Sequence, residues 1–404
     1  MTKIIEEART KALAVLRACR RPTGFFASGL PGGYEAVWAR DSQMTALGAS
    51  LQGEQFKRTI GQSLTLLARH QGAMGQIPNC VGSYNTDRQS DVTYNSVDSS
   101  LWFIIGHYVY ARAFRDRALL DRQNRQINMA FFWLKAQDPD NLGLLVQQPT
   151  NDWQDAFPHK YGYTIHCLSL FYAVLKIMGE KKQAESLRAI VNGQEKKYAS
   201  LYDAKLGYYY PWAWKNHDTI REHEEWFDTA GNLLAILTGL ADKKISDRLL
   251  DFIEKKAIDR PFPCQTIWPP LYPADPAWHD YFALSDAREP YNYLNAGIWP
   301  FIGGLYVAAL AKTGRHQKAA VALEKLAQAN LQVIKNPQSP AYIIPVGQKN
   351  KIAGPELLAL RQKEFNEWLH GRTGEPRGEP YQGWSAGLYL YAYECVKQKK
   401  VIYF

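Results

Sequence analysis

The chain has 404 residues, 46% hydrophobic and 13% aromatic, enough to bury a large core as one big domain or a few ordinary ones. Lysine and arginine outnumber aspartate and glutamate 48 to 39, but the basic residues are scattered in short groups such as "GEKKQ", "QEKKY", "DKKIS" and "IEKKA". Such groups read as solvated helix faces and argue against a nucleic-acid or membrane partner.

Cys19, Cys80, Cys167, Cys264 and Cys395 are spread along the chain without a CxxC pair, which disfavours a disulfide framework and a zinc site and fits a reducing cytoplasm. At the N-terminus, Glu6, Glu7, Arg9 and Lys11 interrupt the apolar residues, so the segment reads as an amphipathic helix and not as a secretory signal. No stretch approaches the roughly 18 consecutive apolar residues of a membrane span.

Apolar residues recur at three- and four-residue spacing, as in Ile5, Ala8, Ala12, Val15, Leu16 and Cys19. The pattern predicts helices over 4–19, 42–51, 55–70, 99–114, 120–136, 164–178, 182–200, 230–240, 244–256, 299–312, 316–332 and 383–396; strand alternation is hard to find. Short links near Gln52, Arg115, Gly179, Ala241 and Thr313 alternate with long loops over 22–41, 71–97, 137–162, 201–229, 257–298 and 334–382. Loops of that length inside a compact chain are usually functional. Six helical hairpins with their long loops at one rim predict an all-α, closed (α/α)6 toroid, with the inner helices pointing their N-termini at that rim. No linker-like stretch interrupts the series, so a single domain over 1–404 is expected. A helical solenoid is the structural rival.

The long loops carry "GGYEAVWARDS", "GQIPNC", "TYNSVDSSLW", "NDWQDAFPHKYGY", "EHEEWFDTAGN", "YNYLNAGIWP" and "FNEWLHGRTGEPRGEPYQGWS". Aromatic rings beside carboxylates and amides suit a carbohydrate, whose C–H faces pack on rings while its hydroxyls hydrogen-bond. Phosphate recognition has little support: "GLPGG" lacks the Lys-Ser/Thr ending of a phosphate loop and follows no strand. Glycoside hydrolysis needs one protonated carboxyl and one ionised carboxylate. By position the candidates are Asp155 on the third long loop and Glu367 on the sixth, with Glu364, Glu375 and Glu379 as competitors of Glu367. "GEPRGEP" reads as a turn whose carboxylates pair with Arg377. A capping or solvated role is the plain alternative for Asp155. "HDTIREHEEW" gathers histidines and acids without metal-site spacing and reads as an ion-paired rim loop; no metal and no cofactor is expected.

These motifs resemble the six-hairpin (α/α)6 glycoside hydrolases, and within them the amylo-α-1,6-glucosidase domains of glycogen-debranching enzymes and the alkaline/neutral invertases. "YNSVDSSLWF", "GQIPN" and "NDWQDA" look like the debranching pattern; "EWFDTAGNLLAIL", "RPFPC" and "AKTGRHQKA" look like the invertases. The resemblance implies an inverting mechanism with Asp155 as general acid and, through "NEWLHG" followed by "YQGWS", Glu367 as general base. The two carboxyls are then expected roughly 6.5 to 9.5 Å apart. Arg40 and Asp41 match an R-D pair that holds sugar hydroxyls, with helix capping as the alternative for Asp41. Asp98 reads equally as a cap or a sugar ligand. Trp153, Trp299 and Trp384 are candidate pocket walls, Gln382 a hydrogen-bonding partner of the sugar, and Asn295 either that or a cap. The expected activity is release of a terminal, α-linked glucosyl unit from an α-glucan fragment or small glucoside, amylo-α-1,6-glucosidase-like. Sucrose hydrolysis and a catalytically silent sugar-binding barrel are the alternatives. Oligomeric state is not legible.

Overall fold

A computed structural model describes residues 1–31, 33–82, 91–195, 197–217, 220–334 and 362–404. Its helices are α1 (Lys3–Cys19), α2 (Ala39–Ala49), α3 (Lys57–Arg69), α4 (Asp98–Phe114), α5 (Ala118–Arg122), α6 (Asn124–Lys135), α7 (Ile165–Ile177) and α8 (Lys181–Val191). They continue with α9 (Thr229–Thr238), α10 (Lys243–Lys255), α11 (Pro300–Lys312), α12 (His316–Asn330) and α13 (Gly383–Gln398).

Two burial patterns sort these helices into layers. In α2 every residue is buried, and in α11 every residue from Pro300 to Ala311. A helix buried on all sides must be surrounded by other elements, and α11 is apolar all round as that requires. By contrast α10 buries Ile245, Ser246, Leu249, Leu250 and Ile253, a single stripe that faces inward. Among the described residues six helices form the inner ring: α2 packs on α4, α4 on α7, α7 on α9, α9 on α11, α11 on α13, and α13 back on α2. Outside them α3 covers α2 and α4, while α6, α8, α10 and α12 cover α4, α7, α9 and α11. The sixth hairpin has no covalent turn, because α1 at one end of the chain packs against α13 at the other.

Ring closure demands close helix approach where α13 meets α2. A Cβ on Gly48 would stand 1.9 Å from the Gly387 carbonyl oxygen, and one on Gly387 would stand 2.5 Å from Thr45 Cα. Larger residues there would force the two backbones apart.

The inner-helix starts are set by local chemistry. Thr164 accepts from the Cys167 N–H at α7, Asp228 from the Gly231 N–H at α9, and Pro300 opens α11 where a missing N–H costs nothing. These starts share one rim, since Arg40 and Asp98 join α2 to α4, Asp98 and His166 join α4 to α7, and Trp299 and Trp384 join α11 to α13.

Three differences from expectation have physical causes. The predicted 182–200 helix ends at Val191, where Asn192 and the left-handed Gly193 (φ 71°) turn the chain. The predicted 120–136 helix is broken at Gln123, a buried side chain bonded to His107 Nε2 at 2.7 Å and Thr65 Oγ1 at 3.1 Å. Short strands occupy the rim loops, including a three-stranded sheet of Ala36–Trp38, Cys80–Gly82 and Val92–Thr93, and the hairpin Trp212–His217 with Ile220–His223 beside Tyr163–Thr164. At two to six residues each, they are too short to show alternation in sequence. Residues 335–361 of the sixth long loop, Gly32 of "GGYEAVWARDS", and Asp218 and Thr219 of "HDTIREHEEW" lie outside the described residues. No described helix is long and apolar enough to cross a membrane.

Candidate active site

Asp155 and Glu367 reach the rim from separate loops, and a run of aromatic contacts connects them. Trp153, two residues before Asp155, meets Trp299 at 5.6 Å; Trp299 meets Tyr293 at 5.3 Å; Tyr293 meets Trp368, the neighbour of Glu367, at 6.0 Å. Asp41 at the start of α2 acts electrostatically on both carboxyls.

Asp155 is solvent-exposed, yet enough protein surrounds it that burial pushes its carboxyl up to about 6. Arg40 opposes that rise, while the negative charges of Asp152 and Asp98 add to it. Glu367 is 7% exposed and is pushed up to about 8, first by burial and further by the charges of Glu379 and Asp41. Its Oε1 accepts from Tyr34 Oη at 3.0 Å and its Oε2 from the Glu379 N–H at 3.2 Å, bonds that favour the ionised form without overcoming burial. Two carboxyls raised to either side of neutral, so that one can carry a proton while the other is ionised, are the equipment of acid–base catalysis.

Around them the structure gives most of the candidate residues definite partners. Arg40, 6% exposed, donates through Nη1 to both carboxylate oxygens of Asp98 at 3.1 Å, and its Nε lies 4.0 Å from Asp41. Burial alone would raise Asp98; Arg40 and His166, 3.3 Å away, overcome it and pull the carboxyl down to about 2. Asp98 is fully buried and makes no capping bond, so it is neither the cap nor the sugar ligand expected of it; it anchors Arg40. Asp41 sits in the first turn of α2, whose N-cap is Trp38, so capping does not describe it. Burial raises it to about 6 against the pull of Arg40.

Asn295 departs furthest from expectation. It is fully buried, its amide donates to the carbonyls of Leu271 (2.9 Å) and Ala287 (3.0 Å), and its oxygen accepts from the Leu271 N–H (2.8 Å). With donors and acceptor spent on backbone, it fastens its own loop and is not placed to bind sugar.

The expected tryptophan walls form a packed block. Trp153, Trp299 and Trp384 are 3%, 2% and 6% exposed, and Phe301 stacks on Trp384 at 4.5 Å. Trp299 Nε1 donates to the Tyr293 carbonyl at 3.1 Å, whereas Trp153 Nε1, Trp384 Nε1 and Gln382 Nε2 are buried without a hydrogen-bond partner among the described residues.

In "GEPRGEP" the expected turn holds for Glu375, which pairs with Arg377 at 2.9 Å. Glu379 instead turns inward, accepting from Ser28 Oγ at 3.3 Å, while its backbone carbonyl accepts from the Glu367 N–H at 2.9 Å. Gly378, with φ 71°, lets that strand pass close: a Cβ there would lie 2.6 Å from Glu367 Oε2. In the acidic rim loop His223 lies 3.6 Å from Glu225, and Tyr161 donates to Glu222 at 2.7 Å. No cluster able to hold a metal ion occurs among the described residues.

Sequence reasoning missed Tyr34, Asp152, Lys160 and His166, and it weighed Glu379 only as a rival of Glu367, not as the backbone partner that holds it. Tyr34 and Lys160 stand within the motifs singled out, but nothing in the linear order shows that one meets Glu367 and the other two aspartates.

A ring of six inner helices with carboxyls at its N-terminal rim is the fold of the six-hairpin glycosidases. A mannosylglycerate hydrolase from Thermus thermophilus, solved with glucose, superposes over 95% of this chain and 99% of its own with a TM-score of 0.62 at 15% identity. A second solved glycosidase superposes over 98% and 97% with a TM-score of 0.61 at 16% identity.

In sequence the chain resembles the alkaline and neutral invertases, the family matched by residues 215–398. Alkaline/neutral invertase E of Arabidopsis thaliana is 24% identical over 290 residues, 60% of this chain and 46% of that protein. Cytosolic invertase 1 of Oryza sativa subsp. japonica is 32% identical over 169 residues, 41% and 25%. The chain thus spans less than half the length of these relatives.

Proposed function

We propose that the protein is an inverting, exo-acting glycoside hydrolase that releases a terminal α-linked glucosyl residue from a small glucoside. The observation that carries this is the pair of carboxyls, Asp155 and Glu367, that reach one rim from separate loops and whose proton affinities burial raises toward neutrality. Asp155 donates its proton to the glycosidic oxygen as the bond from C1 to that oxygen breaks. Glu367 takes a proton from the water whose oxygen bonds to C1 from the opposite face. Tyr34 and the Glu379 N–H hold the two oxygens of Glu367 in a fixed orientation, and the Arg40–Asp98 anchor leaves Asp41 to meet sugar hydroxyls.

The proton has to sit on the right carboxyl. In the free pair it resides mainly on Glu367, whose carboxyl reaches about 8 against about 6 for Asp155. Binding must favour the other arrangement, with the glycosidic oxygen accepting from Asp155 and the water donating to Glu367. The two groups titrate as a coupled pair either way.

Sucrose is the first substrate to test, because the invertase family is the one the sequence matches. "YNSVDSSLWF" and "GQIPN" support α-1,6-glucosides as the second. Glucose release should be followed from sucrose, isomaltose, maltose, trehalose and limit dextrin, with the anomer first formed read by NMR. The proposal expects β-glucose from at least one α-glucoside and loss of that turnover in both Asp155→Asn and Glu367→Gln. First-formed α-glucose, or turnover retained in either variant, refutes the mechanism; no release from any member of the panel favours a silent sugar-binding barrel.

A further inference from the structure

The loop that carries Asp155 also contains a buried charge that proton transfer itself does not use. Lys160 is 1% exposed, with its ammonium 2.7 Å from Asp152 Oδ2 and 3.1 Å from Asp228 Oδ2. Taking an ammonium and two carboxylates out of water is unfavourable unless the geometry repays it. A surface loop could be held shut more cheaply by apolar residues, so the arrangement calls for a reason.

Each partner of Lys160 holds something else in place. Asp152 Oδ1 accepts from the Gln154 N–H at 2.8 Å, closing the turn that ends one residue before Asp155. Its other oxygen also accepts from Gln147 Nε2 at 3.3 Å, and Gln147 Oε1 in turn accepts from Thr164 Oγ1 at 2.7 Å at the start of α7. Asp228 caps α9 through the Gly231 N–H at 3.0 Å. The ammonium therefore joins the turn that presents Asp155 to the start of α9, while Asp152 reaches the start of α7 through Gln147.

We propose that Lys160 is a positioning residue for proton donation: it ties the Asp155 turn to the N-terminus of α9 and so sets where the donor carboxyl stands relative to the leaving oxygen. The inference rests on Asp155 being the donor. Misplacing a donor by a fraction of a bond length slows only those reactions that need the proton. Fluoride departs from C1 without protonation, so α-D-glucosyl fluoride reports water attack alone, with Glu367 taking the water proton.

The test compares the best glucoside of the panel above with α-D-glucosyl fluoride. The variant is K160M combined with D152N, which removes one positive and one negative charge together and leaves Asp228 as a cap; because the Asp152 charge also raises Asp155, each protein is assayed at its own pH optimum. A melting temperature within a few degrees of wild type is expected, with kcat on the glucoside reduced on the order of 10²-fold, KM changed less than threefold, and fluoride turnover within threefold of wild type. K160R, which keeps the charge but not its geometry, serves if the double variant does not fold; it should show the same discrimination at smaller amplitude. Equal slowing of both substrates, or full speed on both, overturns the positioning role. D155N, measured alongside, separates the two failures. If D155N still hydrolyses the glucoside, the donor assignment is wrong; if it loses only the glucoside while the Lys160 variant keeps both, the tether alone is wrong.

Discussion

Replacing Glu367 with glutamine should abolish hydrolysis and, at alkaline pH, make the protein more stable. The carboxyl rises from an ordinary 4.5 to about 8 in the fold, chiefly through burial. An acid whose folded pKa is raised keeps a proton that the unfolded chain releases, so wild-type stability declines as pH climbs from about 4.5 to about 8. Below that window both states are protonated and nothing is lost. Above it the full cost applies, at most about 5 kcal/mol. Glutamine removes this cost but cannot accept from both Tyr34 and the Glu379 N–H, which returns about 1–3 kcal/mol at every pH.

The variant should therefore be slightly less stable than wild type at pH 5 and more stable at pH 9. For a chain of 404 residues each kcal/mol is worth roughly 1 °C, so the two melting curves should diverge by about 3 to 6 °C across that range. Scanning calorimetry at half-unit pH steps measures it, and activity at the optimum should fall by about 10³-fold or more. Contributions from Asp41 and Asp155, which titrate near 6, largely cancel in the difference. Melting temperatures that run parallel from pH 5 to 9 would refute the raised carboxyl at Glu367.

The rate profile should be bell-shaped, rising as pH passes about 6 and falling as it passes about 8, since only the singly protonated Asp155–Glu367 pair can work; a plateau from pH 5 to 9 would contradict it. Tyr34→Phe removes a bond that favours ionised Glu367, so the alkaline limb should move to higher pH while kcat falls. Asp98→Asn leaves the buried Arg40 charge poorly paired and should cost about 3–5 kcal/mol in denaturant unfolding, more than any surface aspartate replaced in parallel. Gly378→Ala forces a Cβ against Glu367 Oε2 at a left-handed φ, and should lower kcat at least tenfold; wild-type rates would show that the strand yields freely.

The layered helices were legible in sequence because burial on all sides and burial on one stripe leave different residue patterns. Uninterrupted apolar runs such as "PFIGGLYVAALA" mark inner helices, and the stripe through Ile245, Leu249 and Ile253 marks an outer one. The long-loop alternation marked the rim, and the motifs placed Asp155 and Glu367 on it. Sequence could not assign Asp98, Asn295 or the tryptophans, because an aspartate or asparagine before a helix looks the same whether it caps, binds a ligand or grips a distant partner. Only folding brings Arg40 to Asp98 across 58 positions, Tyr34 to Glu367 across 333, and Lys160 between Asp152 and Asp228. The same is true of proton affinity: both acids have ordinary affinities in an open chain, and the surrounding barrel, by excluding water and crowding negative charge, moves them toward neutrality.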